Sequence, residues 1–462
     1  MVEPTKTPER ADEADAPSVA STATTPGAAT AGTATAEGLP SLRHNRPYML
    51  LMTGKTVEVV GSGMATFAVP LLALALSGSL VTAGVIGAIA QIGALVATMP
   101  AGVVADRWDR RTIVVACSVL GLAAWGSLGV AWLLGGITIA HLAVAAFLAA
   151  IARSVYEPSE SAAIRHVVPT AQLGSAMAAV QGRSAVASLV ASPLGGLLYA
   201  ASRVLPALAG AVGHLVALVC ALAVRAPLGE PVKHRSEREP VWREFVEGWR
   251  YVVSIPFLRA SLGVFALVNL TFNGLFAGLN LHLADLHTAP FRIGLIDGVS
   301  GAAMLLGSLA AGRLVARFPA GPLAIALLLV AVVGAAVVPV TGTYAGYLVG
   351  MGITGLAAPA VNAGLIGYAV AITPGTLQGR MNAVMMLCTA GLTPLAPFLA
   401  GVMLSAWGPT WTFGIFAAGL AVSWGIAASV RSLRRIGTPD TWAADAIDWP
   451  SSSGRRKDPA GA

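Results

Sequence analysis

An ionisable side chain inside a membrane-length apolar run costs at least about 2.5 kcal/mol, so each one found there calls for a partner or a function. Glu58 lies in such a run, about 15 Å from its start at the rise of an α-helix. Lys55 precedes it by three positions and shares its helical face. A carboxyl that trades an ammonium neighbour for apolar surroundings takes up a proton and releases it on return. That makes Glu58 the first proton-coupling candidate; a permanent ion pair with Lys55 is the reading left open beside it. A second group, Arg153, Glu157 and Glu160, stands in one later run. Arg153 and Glu157 are four apart and can pair, and Pro158 denies the Ser154 carbonyl its helical donor. Arg153 and Glu157 are further coupling candidates, with a satisfied structural pair as the alternative. Arg183, about 16 Å into the next run, is within reach of these acids.

Polar residues in the second half of the chain extend the pattern. Asn269, Asn273 and Asn280 follow a one-face helical spacing. Asn362 stands before Pro374 at the distance at which Glu157 stands before Pro169. A charged half facing a neutral polar half is a reasonable layout for a cavity, so Arg183, Asn269, Asn273 and Asn362 are substrate-cavity candidates. Hydrogen bonding between helices without any ligand is an equally open reading. Asp297, with Asp285, His282 and His287 near it in sequence, is a further coupling candidate as an external proton entry. The histidine spacing matches no dependable metal site.

The elements that must position these residues are membrane helices. Hydrophobic residues make up 56% of the chain and charged residues 11%, against about 25% charged in soluble domains. Runs of about 20 apolar residues are needed to span a bilayer. Twelve are found, at 48–76, 82–105, 112–134, 139–164, 172–200, 204–225, 258–284, 290–316, 321–341, 344–372, 378–406 and 410–431. With both termini on the cytoplasmic side, the basic residues next to the spans gather there, from Arg43 and Arg46 to Arg434 and Arg435; the opposite loops hold Arg203 and Arg292. The net charge of +7 therefore reads as topology and not as a nucleic-acid footprint. Cys117, Cys220 and Cys388 all fall in apolar runs and predict neither disulfides nor a metal.

The expected organisation is a disordered cytoplasmic tail over 1–45 without an apolar leader, a six-helix bundle over 46–225, and a linker over 226–257. A second six-helix bundle follows over 258–431, then a tail over 432–462 whose last part, 438–462, has the composition of the first tail. Within the linker, Trp242, Phe245, Trp249 and Tyr251 alternate with Arg243, Glu244, Glu247 and Arg250, which predicts an interfacial amphipathic helix. The two halves also repeat. Ala101-Gly102-Val-Val-Ala-Asp106-Arg107 returns as Ala311-Gly312-Arg-Leu-Val-Ala316-Arg317 at an offset of 210, and Ser192-Pro193 returns as Ala396-Pro397 at an offset of 204. Six-helix repeats that rock about a midplane site are a recurring plan in secondary transporters.

The run Gly102-Val-Val-Ala-Asp106-Arg107-Trp-Asp109-Arg110-Arg111 resembles the signature loop of the major facilitator superfamily. The segment from Pro169 through Arg183 to Pro193-Leu-Gly195-Gly196, with Gly379-Arg380-Met-Asn382, is similar to its bacterial branch of enterobactin exporters and macrolide-efflux proteins. The sequence departs from drug–proton antiporters at Ser192 and in the spacing of Pro193 and Gly195, and Ala316 replaces the acidic residue in the second loop. The resemblance implies an all-α membrane protein of twelve helices in two pseudo-symmetric bundles. It implies a gating loop of Gly102, Asp106, Arg107, Arg110 and Arg111, in which Asp106 accepts from Arg110 or from a facing helix N-terminus. It also implies export of a hydrophobic or amphiphilic small molecule, a drug, siderophore or other metabolite, from the plasma membrane by proton antiport, as a monomer in the lipid bilayer. No cofactor and no nucleic-acid partner are expected. No phosphate-binding Gly-rich loop with Lys-Ser/Thr occurs, so nucleotide does not power the cycle. An uncoupled facilitator or importer is the alternative, and a membrane-embedded enzyme a remote one, since the histidines are scattered.

Overall fold

The structure, a computed structural model, describes residues 41–225, 228, 241–447 and 449, with backbone alone at 99, 100, 102, 103, 105–107, 241, 242 and 244. Among these residues there is no strand. The tail expected over 1–45 therefore lies outside the described residues up to residue 40, as does most of the linker ahead of residue 241.

Helix starts follow local chemistry. Asn45, Ser79, Asp109 and Thr138 each accept a backbone N–H with the side chain and so open α1 (Arg46–Ser77), α2 (Leu80–Arg107), α3 (Arg110–Leu133) and α4 (Ile139–Val167). The first bundle is completed by α5 (Leu173–Ala201) and α6 (Leu205–Ala223). The amphipathic segment of the linker is α7 (Val241–Ser254). Prolines at their first turns open α8 (Pro256–Asp285) and α9 (Pro290–Arg317). Then come α10 (Ala320–Thr341), α11 (Tyr344–Ile372), α12 (Gly375–Gly391), α13 (Leu395–Ser429) and the single turn α14 (Arg431–Arg434).

Among the described residues, eleven helical stretches are long and apolar enough to cross a membrane, the last being Gly375–Ser429 at 55 residues. Two interruptions divide that stretch. Gly408 has φ 76° and ψ 178°, a conformation that only glycine adopts readily, and Pro409 follows it. This corner turns the chain back and yields the twelfth span. Residues 392–394 interrupt the helix earlier, so the eleventh span is α12 followed by the first part of α13. The sequence reading had one continuous helix over 378–406.

Helices α1–α6 pack together, as do α8–α13, and the two groups meet mainly where α5 lies against α9 and α2 against α13. These contacts are backbone-close. A methyl group on Gly294 would lie 2.3 Å from the Ser192 carbonyl oxygen, and one on Gly196 would lie 2.3 Å from that of Pro290. On the other side, a methyl on Gly84 would lie 2.5 Å from the Pro397 carbonyl oxygen, and one on Gly401 2.5 Å from that of Leu80. Gly84 and Gly294 are offset by 210, as are Leu80 and Pro290, so the internal repeat of the sequence reappears as a pair of matched contacts. Small residues are what allow such approach where no hydrophobic force acts between helices. Both contacts lie at the end of the bundle opposite the start of α1. The other end, which carries Arg46, Arg165, Arg317 and Arg431, is called the basic end below.

Of the segment 438–462, for which disorder was expected, residues 438–447 and 449 are described and are docked on the bundle, while the rest lies outside the described residues. Pro439–Asp445 forms a 3-10 helix, and Trp442 is buried. The Gly437 and Ile436 carbonyls accept from the N–H groups of Ala320 and Gly321 at 3.1 and 3.2 Å, and the Ile447 N–H donates to Ile372 at 3.0 Å. Trp449 meets the Tyr251 ring of α7 edge-on at 5.2 Å between centroids. The cause is aromatic: three large rings of the tail and linker cover the basic end of α10 and α11, and a composition rich in small and polar residues hid them.

Candidate functional site

A buried polar chain runs between α1 and α6. Lys55 Nζ lies 2.5 Å from Glu58 Oε2, and both side chains are 0% exposed as residues. The Ser62 hydroxyl donates to Glu58 Oε1 at 3.1 Å and also meets His214 Nε2 at 3.1 Å. His214 Nε2 stands 3.7 Å from Glu58 Oε1. The Lys55 ammonium sits 4.0 Å above the Tyr156 ring of α4. The imidazole fits because α3 carries glycine where it passes: a methyl group on Gly121 would lie 2.2 Å from the His214 ring. The pair is thus formed, and it lies in the interior of the bundle. A buried pair of this kind holds only while both partners remain, since removing one leaves an uncompensated charge.

A second ion pair joins α4 to α5. Arg183 grips Glu160 through both guanidinium nitrogens, at 2.5 and 3.0 Å. The expectation that Arg183 reaches the α4 acids holds, with Glu160 and not Glu157 as its partner. Arg153 and Glu157 do not pair with each other among the described residues, contrary to the i, i+4 expectation. Both are exposed, and both face a cavity.

Two adjoining cavities lie along these groups. The one toward the basic end, about 390 Å³, is lined by Lys55, Ser62, Arg153, Glu157, Glu160 and Arg183. The deeper one, about 370 Å³, lies between the bundles and shares Ser62 and Arg153 with the first. Its walls are mostly apolar, with Phe67, Trp125 and Phe276, and its polar groups include Gln91, Asn273, Asn280 and Asp297. A few placed polar groups on apolar walls are the usual make-up of a small-molecule site. The α5–α9 and α2–α13 contacts close the far end beyond it.

Asp297 does not form an outer rim with Asp285. Its carboxylate is buried against the deeper cavity, where it accepts from Asn280 Nδ2 at 3.3 Å and from Ser192. Asp285 is exposed at the end of α8, and His282 packs against the rings of Tyr347 and Phe413. Asn273 lines the deeper cavity. Asn269 instead donates to the Phe265 carbonyl along its own helix, and Asn362 is exposed on α11 outside both linings.

Within the loop 102–111, the side chains of Gly102, Asp106 and Arg107 lie outside the described residues. Asp109 caps α3, accepting from the Thr112 N–H at 3.1 Å. Arg110 donates to the Leu228 carbonyl at 3.1 Å and Arg111 to the Leu222 carbonyl at 2.9 Å. Arg111 therefore holds the end of α6, where a helix presents free carbonyls and favours cations, and Arg110 holds the chain just beyond it. In the second half Arg380, at the start of α12, forms an ion pair with Glu247 of α7.

Sequence reasoning missed His214 and Trp125. The signal for His214 was the one used for Glu58, an ionisable residue in an apolar run; its partners, 152 and more positions away, were the missing information. Trp125 read as an ordinary apolar residue. Among the described residues no cluster of His, Cys, Asp or Glu could hold a metal.

Comparison with known proteins bears on this geometry. The Major Facilitator Superfamily profile matches residues 51–289 and 270–448. The multidrug efflux pump Tap of Mycobacterium tuberculosis is 27% identical over 288 residues, which is 59% of this chain and 67% of that protein. Tap of Mycolicibacterium fortuitum is 26% identical over 237 residues, 50% of this chain and 57% of its own length. Among solved structures, a POT family transporter in complex with 5-aminolevulinic acid superposes with a TM-score of 0.68 at 13% identity, covering 86% of this chain and 98% of that one. The nucleoside transporter NupG gives 0.67 at 13%, covering 83% and 100%. A bacterial homologue of the iron transporter ferroportin in its inward-facing state gives 0.64 at 14%, covering 86% and 100%. At these identities the structural likeness establishes the fold.

Proposed function

This chain belongs to the major facilitator superfamily, a family of membrane transporters, and we propose that it exports hydrophobic or amphiphilic small molecules across the plasma membrane by alternating access coupled to proton antiport. The observation that carries this reading is the cavity between the bundles, with helix contacts beyond it at the far end and, on the other side, an adjoining basic-end cavity that shares Ser62, Gly63 and Arg153 with it. The basic end is cytoplasmic by the positive-inside bias, so the cavity receives cargo from the cell interior. The distant likeness to the Tap multidrug efflux pumps supports the outward direction.

Coupling is assigned to Glu58. A proton that reaches it through the polar chain cancels its attraction for Lys55, and Lys55 is then a buried cation without a counter-ion. Relief comes from moving α1 against α6 and α4, the motion that rocking the first bundle requires. The Gly102–Arg111 loop belongs to the gate at this end, tied to the last turn of α6 by Arg111 and to Leu228 beyond it by Arg110. The facilitator reading has one observation in its favour: the tight Lys55–Glu58 pair is also what a fixed structural strut would look like.

Dye accumulation in a host lacking its own efflux pumps separates the two. Proton-coupled export predicts that wild type lowers accumulation of amphiphilic dyes, that a protonophore abolishes the effect, and that Glu58→Gln at matched expression loses it. Export that survives both the protonophore and Glu58→Gln leaves the facilitator reading standing.

A further inference from the structure

The two ring nitrogens of His214 are in different situations. Nε2 meets the Ser62 hydroxyl at 3.1 Å and stands 3.7 Å from Glu58 Oε1, while Nδ1 is buried without a hydrogen-bond partner among the described residues. Glycines set the ring there. A methyl group on Gly121 of α3 would lie 2.2 Å from Nε2 and 2.5 Å from Nδ1, and one on Gly213 would lie 3.0 Å from the Glu58 Cα. The imidazole therefore fills the gap between α1 and α3. The charged groups that face it are Glu58 and Lys55, both from α1. From α3 come Gly121 and, one turn away, the Cys117 thiol. The ionisable residues of α5, Arg183 and Tyr199, lie beside Glu160 and Arg203 instead, and Cys220 of α6 itself packs at Gly54.

Counting hydrogens fixes the tautomer. A serine hydroxyl has one hydrogen, a carboxylate only accepts, and a neutral imidazole has one N–H. Ser62 donates to Glu58 Oε1. The Ser62 oxygen is then left to accept from His214, which puts the ring hydrogen on Nε2. The opposite tautomer fails twice. It turns the Nε2 lone pair toward a carboxylate 3.7 Å away, and it buries an N–H at Nδ1 that finds no acceptor. An imidazolium carries the same unsatisfied Nδ1–H. The hydrogens therefore run from His214 to Ser62 to Glu58, all pointing at the carboxylate.

A proton arriving on Glu58 breaks that order. On Oε1 it makes an O–H that must donate to Ser62, and Ser62 must then donate to an Nε2 that already carries a hydrogen. The ring can yield only by taking a hydrogen at Nδ1, where no group stands to deliver one. The other oxygen, Oε2, lies 2.5 Å from the Lys55 ammonium, so a hydrogen there would set two donors against each other. Neither oxygen is open to a proton while α1 and α6 keep this contact.

We propose that His214 is a positioning residue for proton coupling: held as the Nε2–H tautomer, it aims the Ser62 hydrogen at Glu58 and so ties proton uptake to the loosening of α1 from α6. The proposal rests on the assignment of coupling to Glu58 and adds the part that keeps proton and motion in step. An ionised Glu58 holds the contact, and a protonated one favours the state in which it is broken. Without the ring, the ionised carrier rocks with no proton bound, and a pH gradient leaks away.

Two measurements on the full-length protein test this. The first is nitrogen NMR of wild type labelled in its histidine rings, in nanodiscs near neutral pH, with the His214 signals identified by their loss in His214→Gln. The expected result is a protonated Nε2 and a bare Nδ1. A protonated Nδ1, whether alone or in an imidazolium, overturns the proposal. The second is proton leak into proteoliposomes in the absence of any cargo. His214→Leu is expected to leak at least about threefold faster than wild type, the low end for one lost hydrogen bond. His214→Gln, whose amide N–H reaches the place of Nε2–H, is expected to leak at the wild-type rate. A leucine variant as tight as wild type, or equal leak from both variants, overturns the positioning role. The NMR result on wild type stands or falls without either variant folding well. Gradient-driven pumping by Glu58→Gln contradicts the coupling to Glu58 and leaves the Nε2–H assignment intact. A protonated Nδ1 together with loss of pumping in Glu58→Gln does the reverse.

Discussion

At the scale of single residues, the polar chain in the first bundle is under opposing demands. Lys55 and Glu58 are fully buried, so neither is tolerable alone. Glu58→Gln by itself is expected to destabilise the protein by about 3–5 kcal/mol, the cost of leaving one buried charge unpaired. Lys55→Met combined with Glu58→Gln removes both charges and is expected to recover most of that loss. Thermal unfolding in detergent checks this; a double variant no more stable than the single would show that the pair is not the source of the strain. Half of the site was visible in the sequence for a physical reason. Lys55 and Glu58 are three positions apart, and helix geometry alone places them together. His214 and Glu58 meet across a helix–helix contact that depends on Gly121 and Gly213 being small, and single-helix periodicity holds no such information. The Arg153–Glu157 expectation failed because spacing permits a pair and solvent in a cavity removes the need for one.

At the scale of elements, the helices were legible by length and apolarity, and their interruptions were not. Gly408 is the corner that makes one long helical stretch into two spans. Gly408→Ala is expected to cost about 1–3 kcal/mol in backbone strain, seen as a lower melting temperature, whereas Ala at the open, ordinary helical position Gly414 is expected to be neutral or mildly stabilising. The interruption at 392–394 escaped reading because three residues scarcely alter the apolarity of a membrane-length window. The linker helix was legible from its alternation of aromatic and charged residues. Its binding to α12, through Arg380 and Glu247 and through Gly248 against the Arg380 backbone, needed the fold. The docked tail follows the same rule. Deleting residues 438–462 strips Trp442 and Trp449 from Tyr368 and Tyr251. The deletion is expected to lower the melting temperature and to speed proteolysis within α7; an unchanged protease pattern would show that the tail does not hold the linker.

At the scale of the whole molecule, the two six-helix groups touch through four glycine-to-carbonyl contacts that the internal repeat relates in pairs. The repeat was readable as offsets of 210 and 204; what the offsets could not say is that these residues form the far-end closure. Enlarging one side should therefore act like enlarging the other. Gly294→Leu and Gly84→Leu are each expected to prevent far-end closure, so that a cysteine in the basic-end cavity, such as Ser184→Cys, becomes less accessible to a membrane-impermeant maleimide applied from the basic-end side. Unchanged labelling in both would mean that these contacts do not set the state.

The most direct measurement of the central claim uses the purified protein in proteoliposomes, comparing gradient-driven transport with exchange at equilibrium. A dye expelled from efflux-deficient cells is loaded, and its flux is followed with and without an imposed pH gradient. The account predicts that wild type accumulates dye against its gradient when pH drives it, and that Lys55→Met/Glu58→Gln still exchanges labelled for unlabelled dye yet no longer responds to pH. Pumping by that double variant at the wild-type rate would contradict the assignment of proton coupling to the buried chain between α1 and α6.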